Sequence, residues 1–96
     1  MITHIVLIKF SKEVTDAQVD TLIEKTLKLK EEIPGIIEIH QGRNFSDRSQ
    51  GYEVGMTIKF ENKQALENFG PHPKHLEVVD YLKSELGLAD IIVVDF

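Results

Sequence analysis

Residues 3–19 read THIVLIKFSKEVTDAQV, and a change of rhythm inside this stretch decides the fold. From Thr3 to Phe10 the side chains alternate with the two-residue period of a strand. His4, Val6, Ile8 and Phe10 fall on one face, and Ile5, Leu7 and Lys9 on the other, so both faces are largely apolar. At Thr15 the chemistry becomes that of a helix start. Thr15 is placed to cap, Gln18 three residues on completes a capping box, and Val14 with Val19 makes a hydrophobic staple. The helix is expected to run to about Glu32 along a stripe of Val19, Leu22, Ile23, Thr26 and Lys30, until Ile33-Pro34-Gly35 stops it.

Working outward, Ile36 to Arg43 reads as a second strand and Asn44 to Gly51 as a polar turn. Tyr52 to Phe60 reads as a third strand, with Tyr52, Val54, Met56, Ile58 and Phe60 on one face and Glu53, Gly55, Thr57 and Lys59 opposite. Asn62 is set to cap a short helix through Phe69, which Gly70-Pro71 breaks. Pro73 suits the first position of another helix running to about Leu86. Gly87 ends it, and Asp90 to Phe96 forms a fourth strand. The order β-α-β-β-α-β predicts an α+β, ferredoxin-like protomer: a four-stranded antiparallel sheet with helices on one face. Helices cover one side only, which leaves Ile5, Leu7, Ile92, Val94 and Phe96 without a partner. A second copy of the chain, packed sheet to sheet about a two-fold axis, is the expected cover, giving a homodimer and a dimeric α/β barrel.

A chain of 96 residues predicts one domain, residues 1–96. Its 42% hydrophobic and 28% charged residues exclude a disordered or collagenous composition. With no cysteine there is no disulfide and no cysteine–metal site, and nothing argues for an oxidising compartment. No apolar run approaches the roughly 20 residues of a membrane span. Met1-Ile2-Thr3-His4 has no basic leader, so a cytoplasmic location is expected and a signal peptide is not. The net charge of −5, with lysines scattered among Glu24, Glu31 and Glu32, describes a solvated helix face rather than a nucleic-acid surface. Arg43 and Arg48 share one loop region, too few for an anion site.

No phosphate loop, dinucleotide fingerprint or zinc-protease motif is present, and no cofactor is implied. What stands out among four histidines is a pair on apolar faces. His4 opens the helix-side face of strand one. His75 lies in the first turn after Pro73, in register with Val79, Leu82 and Leu86. Both point toward one end of the space between sheet and helices. The helix dipole and burial each disfavour a charged imidazole at His75, which suits a general base. The plainer alternative is a packed first-turn histidine whose second nitrogen meets a backbone carbonyl or His4. His72 is expected to cap its helix or face solvent. It is i,i+3 from His75, but no nearby acid completes a metal site. His40 reads as a rim residue. Tyr52 and Tyr81 are available hydrogen-bond donors, Tyr81 off the inward stripe.

These residues resemble the stress-responsive dimeric α/β-barrel family, Dabb, over essentially the whole chain. The marks are the opening run His4 to Phe10, Ile33-Pro34-Gly35, Gly51-Tyr52, Phe60-Glu61, His72-Pro73-Lys74-His75 and the closing Val93-Val94-Asp95-Phe96. The resemblance implies a ferredoxin-like protomer whose sheet pairs with its twin. It also implies candidate catalytic residues, because the family includes a plant polyketide cyclase that closes a linear tetraketide with a histidine base and a tyrosine. His75 matches that histidine and His4 the histidine opening strand one. Phe69 stands at the tyrosine position, Val54 at a further histidine and Val79 at a glycine that widens the cyclase pocket. That reaction on that substrate is therefore not expected. The pocket is expected to be lined by Val6, Ile8, Leu22, Ile23, Val54, Met56, Phe69, Val78, Val79 and Leu82. Two main functions follow: a dimeric binding or stress-associated protein whose pocket is vestigial or holds a small apolar or aromatic ligand, or a cofactor-independent cyclase-, lyase- or monooxygenase-like enzyme with His75 as base and His4 as its partner; a metal- or haem-linked role is the remaining alternative.

Overall fold

A computed structural model describes residues 1–96. The elements are β1 (Ile2–Phe10), α1 (Asp16–Leu27), α2 (Leu29–Glu32), β2 (Ile36–Arg43), β3 (Tyr52–Phe60), α3 (Lys63–Phe69), α4 (Pro73–Ser84) and β4 (Leu88–Asp95). The strands form one antiparallel sheet in the order β2-β3-β1-β4. This is the ferredoxin-like arrangement; the second helical region is broken at Gly70-Pro71 as expected, and the first, expected as one helix, is divided in two.

Local chemistry explains most boundaries. Thr15 Oγ accepts from the Gln18 amide at 3.1 Å and Gln18 Oε1 accepts from the Thr15 amide at 2.9 Å, the reciprocal capping box. Asn62 caps α3 through the Ala65 amide, and Pro73 occupies the first turn of α4 behind a capping His72 whose Nδ1 accepts from the Lys74 amide. The α1 stripe departs from expectation after one break. The α-helical run is interrupted at Lys28, and Leu29 rather than Lys30 continues the buried line of Val19, Leu22 and Thr26. Gly35 adopts φ +90°, and a Cβ built there would stand 2.5 Å from Ala65 Cβ, so the turn into β2 lies directly against α3.

The helix-side face carries the core: Val6, Ile8 and Phe10 of β1, Val54, Ile58 and Phe60 of β3, against Val19, Leu22, Phe69, Val78 and Leu82 of the helices. The opposite face carries no helix. There the register sets Gly42, Gly55, Leu7 and Ile92 in one row across all four strands. His40, Thr57, Ile5 and Val94 form the next. Strand β4 is an edge, and its large apolar side chains are exposed on both faces, Ile91 and Val93 on one and Ile92 and Val94 on the other.

Tyr52 departs from the alternation assigned to β3. A bulge between Ile8 and Lys9 brings Tyr52 opposite Lys9, whose ammonium lies 4.6 Å from the ring centroid, and the Tyr52 hydroxyl donates to Asp90 at 2.6 Å. Arg43 serves the fold. Its guanidinium donates to the Val14 carbonyl at 3.0 Å and pairs with Asp16 at 2.9 Å, holding the start of α1 over that end of the sheet.

Candidate functional site

Between the sheet and α1, α2, α3 and α4 lies an apolar cavity of about 250 Å3. His4 and His75 both line it. Val6, Ile8 and Met56 form part of its sheet side, and Leu22, Phe69, Val78, Val79 and Leu82 part of its helix side. Ile23 and Val54, expected among the lining, stand elsewhere. Ile23 sits one residue, about 100° of helix, round from Leu22 and is half-buried at the margin. Val54 is completely buried in the core beside Ile8 and Arg43, at the end of the sheet where the anchored start of α1 closes the gap. Thr26, Leu29, Gln41, Leu66, Gly70, Ile91 and Val93 complete the wall.

His75 has a defined orientation. Its Nδ1 is 2.9 Å from the Gly70 carbonyl oxygen. A carbonyl only accepts, so Nδ1 carries the proton and Nε2 keeps the lone pair. The ring packs on Phe69, centroids 4.1 Å apart and planes 35° apart. Burial holds the His75 pKa below the ordinary 6.5; the Gly70 carbonyl opposes this, and the nearby His4 and His72 push in the same direction as burial. Near neutral pH the ring is uncharged, as proton acceptance requires.

His4 is oriented by Asp95, a residue outside the expected site. Its Nδ1 lies 2.5 Å from Asp95 Oδ1, so the carboxylate accepts from Nδ1 and fixes the orientation of the ring. The pair exists because β1 and β4 are neighbours with His4 directly opposite Asp95. Alternation along β4 already sets Asp95 on the face of Ile91 and Val93, but only the β1–β4 register assigns its partner. Phe69 stands next to both histidines, 6.1 Å from His4 centroid to centroid, and also packs edge-on against Phe60 at 5.1 Å. Its ring presents no hydroxyl.

Other titratable candidates are engaged elsewhere. His72 caps α4, His40 lies near Glu38 on the opposite face of the sheet, and the Tyr81 hydroxyl donates to the Gln18 carbonyl at 3.4 Å. No group of three or more His, Asp and Glu side chains is arranged to hold a metal ion, and no helix is long and apolar enough to cross a membrane.

The stress-responsive A/B barrel domain matches residues 2–96. The chain belongs to the Dabb family. Similar in sequence to this Dabb protein is olivetolic acid cyclase of Cannabis sativa, 24% identical over 85 residues, covering 86% of this chain and 84% of the cyclase. Among solved structures, an Arabidopsis thaliana protein superposes with a TM-score of 0.87 at 26% identity, covering 100% of this chain and 93% of its own. A protein of unknown function from Jannaschia sp., described as dimeric and ferredoxin-like, superposes with a TM-score of 0.80 at 28% identity, covering 99% and 96%.

Proposed function

We propose that this Dabb protein binds a small, largely apolar molecule in the cavity between sheet and helices, and that it works as a homodimer. The observation that carries the binding role is the cavity itself: an apolar wall with two oriented imidazoles at one end, the combination of a mostly hydrophobic lining and few placed polar groups that ligand sites share. At about 250 Å3 it suits a compound smaller than those that fill pockets of about 300–1,000 Å3. Titration of 15N- and methyl-labelled protein with n-butylbenzene tests this directly. Saturable shifts at Val78, Val79 and Leu82 are expected; unperturbed signals there at saturating probe refute the role.

The dimer contact is assigned to Ile5, Leu7, Ile92, Val94 and Phe96. The last three are 40%, 50% and 71% exposed in the protomer, a patch that water disfavours and a second copy covers. The dimeric description of the Jannaschia relative supports the same reading. Light scattering at micromolar concentration is expected to give twice the protomer mass, and Leu7→Asp to halve it. A monomeric parent protein refutes the assignment.

A second reading has its own observation, the fixed tautomer of His75. With Nδ1–H held by Gly70, Nε2 is poised to take a proton from an acidic carbon or hydroxyl of the bound molecule. His4, oriented by Asp95, stands against the same Phe69 ring and offers a second imidazole to the bound molecule. This is cofactor-independent proton-transfer chemistry, and the similarity to a cyclase supports it. Phe69 supplies no hydroxyl to polarise a carbonyl, so any such role falls to the His4 side of the pocket.

A further inference from the structure

The open face of the sheet is divided lengthwise into a bulky half and a hollow half. In its two middle rows β1 and β4 supply Leu7, Ile92, Ile5 and Val94, whereas β2 and β3 supply Gly42, Gly55, His40 and Thr57. A Cβ added at Gly42 would meet no atom within 4 Å, and one at Gly55 would touch Leu7 Cδ2 at 3.9 Å. A shallow concavity of about 320 Å3 lies over these glycines, between Leu7 and His40. Charge is kept to the ends of the face. Lys59 lies 3.7 Å from Glu38 at one end, and Lys9 stands opposite Asp90 at the other. Apart from His40 the middle rows hold no ionisable side chain, the composition of an interface core.

Stacked sheets lie about 10 Å apart, and side chains from both must fill the gap evenly. Aligned sheets can be related by a two-fold axis that runs across the strands or along them. An axis across the strands sets each half on its own copy. Leu7 and Ile92 then meet Ile5 and Val94, while the glycines meet His40 and Thr57, so one half is overfilled and the other is left with a void. A diagonal axis, which crosses the strands at right angles, still sets one corner of each half on its own copy. An axis along the strands exchanges the halves: Leu7 lies over Gly55 of the partner subunit and Ile92 over the partner's Gly42. Every large side chain then faces a hollow. The rotation of about 30° between aligned sheets shifts these facings by less than one row.

We infer that the two-fold axis of the homodimer runs along the strands, so that Leu7 and Ile92 of each protomer fill the trough over Gly42 and Gly55 of the other. The edge strand β4 of one sheet is then stacked on the opposite edge strand, β2, of its twin. The inference rests on the sheet-to-sheet dimer proposed above and states how the two copies meet. It gives the glycines a role in assembly, since a side chain at either position occupies space that the second copy needs.

The test is Gly42→Ile in the purified full chain, read as the dimer dissociation constant by sedimentation over a dilution series. Within the protomer the new side chain enters open space on a strand that favours β-branched residues, so the variant is expected to keep the parent circular dichroism. In the dimer it meets Ile92 of the partner subunit at two equivalent places. The dimer is expected to be about 100-fold weaker, tenfold for each contact. Adding Ile92→Ala makes room and is expected to recover at least about tenfold of that loss. A Gly42→Ile dimer as tight as the parent or tighter overturns the axis, because the side chain has then filled a void left by another arrangement; so does a loss that Ile92→Ala leaves unchanged. The absence of native cysteine allows an independent check that keeps the strands intact. Gly42→Cys, Ile92→Cys treated with bismaleimidoethane is expected to give covalent dimer, and Ile92→Cys alone to give little. Equal yields from the two overturn the axis while leaving the dimer standing. A parent chain that is monomeric at micromolar concentration overturns the dimer and this arrangement with it.

Discussion

Leu22 and Leu86 offer a matched pair for testing whether the cavity is open. Both are completely buried. Leu22 projects from α1 into the cavity wall, whereas Leu86, just beyond α4, belongs to the packed core and does not line the cavity. Leu→Ala substitutions elsewhere cost about 2.7–5.0 kcal/mol, rising by about 24 cal/mol for each Å3 of void left behind. Truncating Leu86 leaves a sealed void and is expected at the upper end, about 4–5 kcal/mol. Truncating Leu22 only widens a space that already exists, so little new sealed volume is made and the cost falls to about 2.5–3 kcal/mol. For 96 residues the whole stability is on the order of 5–14 kcal/mol, so both variants are expected to fold while differing clearly. Urea unfolding at one fixed protein concentration, needed because dimerisation adds to apparent stability, measures the two costs. A loss in Leu22→Ala equal to or greater than that in Leu86→Ala refutes the reasoning, because the wall beside Leu22 is then close-packed and there is no cavity for a ligand.

A histidine NMR titration is expected to place His75 below 6.5; because burial disfavours its charged form in the folded state, the stability it contributes is present above pH 6.5 and lost as pH falls through the lowered folded value. In His75→Phe that acid-side loss is expected to shrink, and an unchanged pH–stability curve contradicts the burial argument. Gly35→Ala forces a left-handed backbone on a residue with a side chain and drives its Cβ into Ala65, so a loss of about 2–5 kcal/mol is expected in urea unfolding. A loss below about 1 kcal/mol shows that α3 can retreat from the turn.

Much of the fold was legible because it rests on short-range chemistry. The capping box at Thr15 and Gln18, Asn62 before α3, and Pro73 behind His72 each act within three residues, and the structure has all three. The alternation of β1 likewise separated the core-facing Val6 and Ile8 from Ile5 and Leu7. What escaped depends on register between distant segments. Tyr52 changes partner because of a bulge in the β1–β3 ladder, which no pattern within β3 records. Asp95 meets His4 only through the β1–β4 pairing. Thr26 was visible as a member of the buried stripe, and Gln41 as one residue of β2. That both residues line one cavity follows from how α1 lies on β2, a tertiary fact. Val54 shows the converse: the correct face of a strand still leaves open whether a side chain meets a cavity or a helix.

The link between His4 and Asp95 spans 91 positions of the chain, and among the four strands of this sheet it joins the earliest synthesised to the latest. During translation β1 can pair with β3 as soon as β3 emerges, and the core of the sheet can condense on those two strands with β2. The edge carrying Ile91, Val93 and Asp95 joins later. Until Asp95 is clear of the ribosome, the cavity lacks one wall and His4 lacks its carboxylate. A nascent chain would therefore hold a nearly complete fold before its candidate site exists, and pulse-labelling of stalled chains of increasing length should find protection of β1 and β3 preceding that of β4.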